Sequence, residues 1–160
     1  MQKKNIAVSF DEYATVNELS SADYALCKEA EKALLSSHSP YSEFKVGAAV
    51  LLKSGKIVRG SNQENVAYPS GLCAERVALF YVGAQYPDDP IHSIAITAYT
   101  DKFVIKHPVS PCGACLQVLG DFEQRQKSPI RVLLYCIGKN VQIAEGVHNF
   151  LPFQFIEEQL

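Results

Sequence analysis

The chain has 160 residues, 48% of them hydrophobic and 20% charged, with a formal net charge of −2. That is enough for one compact core and too little for two ordinary domains. A near-neutral balance without runs of like charge argues against disorder, and it leaves no cationic excess to neutralise a phosphate backbone, which argues against a nucleic-acid substrate.

The opening residues, MQKKNIAVSF, contain no apolar core of signal-peptide length. No stretch approaches the ~18 apolar residues of a membrane span, so a cytoplasmic protein without membrane association is expected. Five cysteines without a secretory signal favour reduced thiols used for metal binding or catalysis over a disulfide framework.

In chain order, residues 1–20 read as an N-terminal extension, with a brief strand over Ile6 to Phe10 ended by Asp11-Glu12. Residues 21–160 read as one domain. Leu26, Ala30, Ala33 and Leu34 recur at helical spacing behind Ser20, an N-cap with Asp23 three residues on, and predict a first helix over 21–37. After the turn at Ser39-Pro40, the runs VGAAVLL and KIVRGSN flank Lys53-Ser54-Gly55 and predict a β-hairpin.

A second helix is expected over 72–85, with its end marked by Gly83 and Pro87. The strand IHSIAITAY follows. Pro111 stands where an N1 proline would open a third helix, with Leu116, Leu119 and Phe122 facing the core. The strand IRVLLYCI closes the series. Strands joined by helices predict an α/β layered domain with parallel crossovers.

Cys112 and Cys115 form a CxxC pair at the start of the third helix, close enough in spacing to reach one ion. Cys73 opens the second helix in CAER. Two helix N-termini would favour thiolates, the form that binds zinc. Three cysteine ligands are the pattern of a catalytic zinc site that keeps its fourth position open; a structural site needs a fourth protein ligand. Cys27, on a helix, and Cys136, within an apolar strand, read as small buried hydrophobes. The four histidines lack ligand spacing, and His107, five residues before Cys112, reads as a loop or capping residue. Glu75, in the first turn of its helix, is open to two readings: an acid beside the metal, or an acid that stabilises the helix dipole.

CAE at 73–75 with PCGAC at 111–115 matches the zinc-deaminase signature in the form where cysteine replaces the histidine ligand. With YSEFKVGAAV at 41–50, GSNQENVAY at 60–68, CAERVALF at 73–80, PCGACLQVL at 111–119 and FLPFQF at 150–155, the chain closely resembles the cytidine deaminases over about residues 22–155. Two departures lie at the pocket edge: FLP where the family often has two leucines before the proline, and Pro69-Ser70 where many members carry Gly-Leu.

The resemblance implies a three-layer α/β/α sandwich around a mixed five-stranded sheet. It also implies one Zn²⁺ per chain and hydrolytic release of ammonia from free cytidine and deoxycytidine in pyrimidine salvage, by a homotetramer with shared active sites. On this pattern Cys73, Cys112 and Cys115 hold the metal, Glu75 moves protons, and Arg76 hydrogen-bonds the sulfurs. Asn62 and Glu64 bind the ribose, Phe44 packs on the base, the Ala74 amide holds pyrimidine O2, and the Ser110 carbonyl accepts from the amine. Tyr68 and Phe155 complete a neighbouring subunit's pocket.

The residues alone leave blander roles open: a solvated turn for Asn62 and Glu64, core packing for Phe44, a surface arginine for Arg76. Competing functions are deamination of a nucleoside antibiotic such as blasticidin, a zinc module that only fastens two helices, and a thiol-disulfide enzyme.

Overall fold

The computed structural model describes residues 1–156; the last four residues of the expected 21–160 domain lie outside the described residues. Among the described residues, three α-helices and six strands follow one another as β1 Asp11–Tyr13, α1 Ser21–Ala33, β2 Lys45–Leu52, β3 Ile57–Ser61, α2 Ala74–Gln85, β4 Ile91–Tyr99, α3 Gly113–Gln126, β5 Arg131–Tyr135 and β6 Val141–Glu145. The six strands form one mixed sheet in the order β1-β6-β5-β4-β2-β3. Only β4 and β5 pair in parallel, joined by α3 as the crossover.

Period-two alternation in the strands sorts side chains into two cores. Ala48, Val50, Ile94, Ile96, Val132 and Leu134 pack beneath α2 and α3 with Ala78, Leu79, Leu116 and Leu119. Their sequence neighbours Ala49, Ala95, Leu133 and Tyr135 face the other way, onto Leu26, Cys27 and Ala30 of α1. One helix on one face and two on the other make the expected α/β/α sandwich.

The sheet has one strand more than the five expected, and two of its strands differ from the sequence pattern. Residues 6–10 alternate like a strand, yet the strand forms at Asp11–Tyr13, in register with Ile143 to Val141 of β6. There Glu12 accepts from Asn140 Nδ2 at 2.9 Å and from Gln142 Nε2 at 3.2 Å, whereas Ile6, Val8 and Phe10 remain half-exposed with no ladder partner. β6, the strand that the sequence pattern does not predict, pairs antiparallel with β5 across a short turn at Gly138, whose φ is 70°.

Local chemistry sets the helix ends. Ser20 caps α1, accepting from the Asp23 amide at 3.2 Å. Pro111 does not occupy N1: the N-cap is Cys112, in extended conformation, and α3 begins at Gly113. Gly83 lies inside α2, which continues to Gln85. Gly60 allows β3 and α2 to approach closely, since a Cβ there would stand 2.4 Å from the Ala74 carbonyl oxygen and 2.6 Å from the Ala78 amide nitrogen. No helix among the described residues is long and apolar enough to cross a membrane.

Candidate metal centre and nucleoside pocket

Cys73 and Cys112 are the N-cap residues of α2 and α3. At this position a Ser or Asp side chain would normally accept from the free amides of the first turn. Neither cysteine makes a capping hydrogen bond, which leaves both sulfurs for another partner. Cys115 lies one turn into α3, three residues from the cap and fully buried. The same i, i+3 step on α2 carries Arg76, whose guanidinium donates to Cys73 Sγ at 3.7 Å.

The crossover topology brings the two helix starts together. Cys73 Sγ lies 3.7 Å from Cys112 Sγ, which lies 3.4 Å from Cys115 Sγ, and all three sulfurs fall within 4.8 Å of one another. Tetrahedral zinc with sulfur at about 2.3 Å requires adjacent sulfurs about 3.8 Å apart, so the trio fits that ion.

The electrostatics suit the same purpose. Hydrogen bonding from Cys115, then from Arg76 and Cys112, outweighs burial and brings the Cys73 thiol down to about 5. Cys115, the donor to Cys73 and itself buried, is pushed up in return. The cysteines outside the cluster behave differently: both are buried, and burial raises Cys27 to about 12 and lifts Cys136 as well. Glu75, in the first turn of α2, is only 4% exposed. Burial raises its carboxyl above the ordinary value, and the Cys73 charge adds to the effect. An acid merely serving the helix dipole would gain nothing from such burial.

A cavity of about 670 Å³ opens in front of these groups. It brings together Asn62, Glu64, Tyr68, Glu75, Arg76 and Ser110, along with Cys73 and Cys112. Ala74 is fully buried at the first position of α2. Phe44 and Phe155 do not line this cavity. The Phe44 ring stacks on Phe103, with centroids 6.2 Å apart. Phe155 is clasped by Gln117 of α3 through two hydrogen bonds of 2.8 and 3.1 Å, with its side chain exposed.

Asn62 is a buried lock: its Oδ1 accepts from Ser37 Oγ at 2.6 Å and the Val46 amide at 2.8 Å, while Nδ2 donates to the Phe44 carbonyl at 2.9 Å. Glu64 grips the preceding loop, accepting from the Tyr41 and Ser42 amides at 2.9 and 3.3 Å and from the Ser42 hydroxyl. That hydroxyl first, then the two amides, hold its carboxyl below the usual range. The role of Ser42 was not assigned from sequence. Its one signal was its place inside YSEFKVGAAV, because a loop serine has no periodicity to betray it.

Comparison with known proteins agrees with the geometry. The family described as "Cytidine and deoxycytidylate deaminase zinc-binding region" matches residues 20–128. A cytidine deaminase of Halalkalibacterium halodurans is 46% identical over 136 residues, covering 84% of this chain and 95% of that protein. One from Sporosarcina psychrophila is 43% identical over 100 residues, covering 61% and 67%.

Among solved structures, cytidine deaminase from Burkholderia pseudomallei superposes with a TM-score of 0.70 at 35% identity, covering 82% of this chain and 98% of that one. The Mycobacterium tuberculosis enzyme gives 0.64 at 26% identity, covering 83% and 96%. The three sulfurs form a group that could hold one zinc ion, and with a zinc-binding family region that spans all three of them, the chain belongs to the cytidine deaminase family.

Proposed function

We propose that this protein hydrolyses the 4-amino group of free cytidine and deoxycytidine, releasing ammonia. The observation that carries this reading is the buried, charge-resisting Glu75 beside a three-sulfur cluster that opens on a cavity of nucleoside size.

Zinc, when held by Cys73, Cys112 and Cys115, supplies the Lewis acidity that makes hydroxide available near neutral pH. Three thiolates oppose that effect by adding negative charge, and Arg76 together with the two helix N-termini offsets them. Glu75 takes a proton from water, delivers one to pyrimidine N3, and helps protonate the departing amine. Its raised carboxyl supports the first of these steps, since a carboxylate of higher pKa is the stronger base toward the proton of water.

The Ala74 amide holds pyrimidine O2 and the Ser110 carbonyl accepts from the amine. Glu64, already accepting three hydrogen bonds, retains about one lone-pair site for a sugar hydroxyl, and Asn62 keeps one N–H for the same purpose. The Phe44 ring lies outside this cavity against Phe103, so the base-packing role expected of it finds no support in this chain's own pocket. Phe155 acts across a subunit boundary in a homotetramer, which its exposed ring outside this chain's own cavity supports, whereas Tyr68, expected to act in trans, lines this chain's own cavity. Residues 21–160 form the catalytic domain and residues 1–20 an extension of it, in keeping with a family match that starts at residue 20. The setting is cytoplasmic pyrimidine salvage.

Loss of cytidine absorbance with concurrent ammonia release by the zinc-loaded protein, abolished by chelation, tests the reaction. Glu75→Gln keeps its zinc and loses turnover by a factor of about 100 to 10,000. Near-normal turnover in that variant removes the proton shuttle.

A further inference from the structure

The loop joining β4 to α3 brings Val109 and Ser110 to the cavity wall, but its first half takes no part in the function proposed above. That half is anchored at Ile105, whose carbonyl accepts from Lys139 Nζ at 2.8 Å and from Cys136 Sγ at 3.6 Å at the β5–β6 turn. Just upstream, Lys102 Nζ lies 3.1 Å from Glu43 Oε1. The Phe103 ring stacks on Phe44, with the two planes 24° apart.

Both contacts reach one short segment, residues 41–44, which carries Tyr41 and Ser42 into the opposite cavity wall. Glu43 in this segment has φ of 55°, a left-handed conformation that a glutamate keeps only when its surroundings impose it. Glu64 fixes the segment from the sugar side of the proposed pocket, through the Tyr41 and Ser42 amides. Phe103 is 59% exposed and adds little to the core, and its one aromatic partner among the described residues is Phe44.

We propose that Phe103, assisted by Lys102, is a positioning residue for nucleoside binding, latching segment 41–44 to the β4–α3 loop so that the two walls of the cavity hold their spacing before substrate enters. The proposal rests on the deaminase reading above and extends it to a residue that reading does not use. The ion pair is exposed on both sides and screened by salt, so the ring stack contributes the larger share. A wall ordered in advance lowers the cost of binding; its loss raises KM and leaves kcat.

The test uses the full-length, zinc-loaded protein. In Phe103→Ala, KM for cytidine rises between about threefold and tenfold while kcat stays within about twofold. Zinc content and sedimentation are unchanged, and Phe103→Tyr restores the parental KM. Lys102→Ala gives a smaller rise that vanishes at high salt. Without substrate, hydrogen exchange of the 41–45 amides accelerates in Phe103→Ala.

The exchange measurement is independent of turnover, so a parent protein inactive on cytidine refutes the deaminase reading and leaves the latch itself to be judged by exchange. Unchanged exchange in 41–45, or an unchanged KM, overturns the latch. A fall in kcat at constant KM, or altered sedimentation, assigns Phe103 to another task and overturns it equally.

Discussion

Asn62 shows how one side chain serves structure and ligand together. It is 9% exposed and ties its own strand end to two other segments, one through Ser37 and one through the Val46 amide and the Phe44 carbonyl. Asn62→Ala leaves the partly buried Val46 amide and Phe44 carbonyl without that partner, at a cost of about 1 kcal/mol for each hydrogen bond lost. The expected outcome is a lower thermal midpoint together with a raised KM, measured by calorimetry and steady-state kinetics. Glu75→Gln contrasts with it, losing turnover while binding zinc. An Asn62→Ala protein with parental midpoint would show that the lock is not needed for the fold. The spacing of Asn62 and Glu64 suggested one shared face, but the depth of Asn62 and the grip of Glu64 on residues 41–42 arise from a loop distant in sequence.

At the scale of elements, the metal centre depends on how closely α2 lies against β3. Gly60 sets that distance, and Gly60→Ala drives a methyl into the backbone of α2 at Ala74 and Ala78. Neither obstacle is the flexible end of a side chain, so α2 must shift, at a cost of about 1–3 kcal/mol. Because Cys73 is the N-cap of that helix, the variant also loses zinc affinity, to be checked by titration against a competing chelator.

On the opposite face, α1 is tied to β5 by Asp23 and Arg131, with bonds of 2.7 and 3.2 Å. Burial alone would raise the Asp23 carboxyl, but the hydrogen bonds from Arg131 and Ser20 outweigh it and hold it below its ordinary 3.8. A carboxylate depressed in the folded state contributes stability above its unfolded pKa and loses it as pH falls through the folded value. Arg131→Ala therefore costs about 1.5–3 kcal/mol at neutral pH, and the gap from the parent narrows below about pH 4. Urea melts at several pH values read this directly, and a gap that stays constant down to pH 2 would contradict it.

For the whole molecule, the position of Phe155 has the largest consequence. Its backbone is held to Gln117 on α3, and its side chain stands 74% exposed, as does that of Phe153 at 82%. Two exposed aromatics so near each other in the chain are what the proposed homotetramer would cover. Truncation after Pro152 is expected to weaken assembly or raise KM while one zinc per chain is retained. Unchanged sedimentation and kinetics would remove Phe155 from any shared site.

The sequence by itself determined the α/β class, the helices and the central hairpin, because period-two and period-3.6 hydrophobicity are local properties of the chain, and its CAE/PCGAC spacing carried the resemblance that implied the three-layer sandwich. Tertiary structure alone decided the rest. Whether residues 6–10 or 11–13 would pair depended on hydrogen-bonding partners in β6, more than a hundred residues away. The capping role of Cys112 depended on where the α3 backbone turned, and the joining of Lys102 and Phe103 to Glu43 and Phe44 on two loops folding toward one cavity. Contacts between segments far apart in sequence have no periodicity along the chain, so they become legible only when the sheet has set those segments side by side.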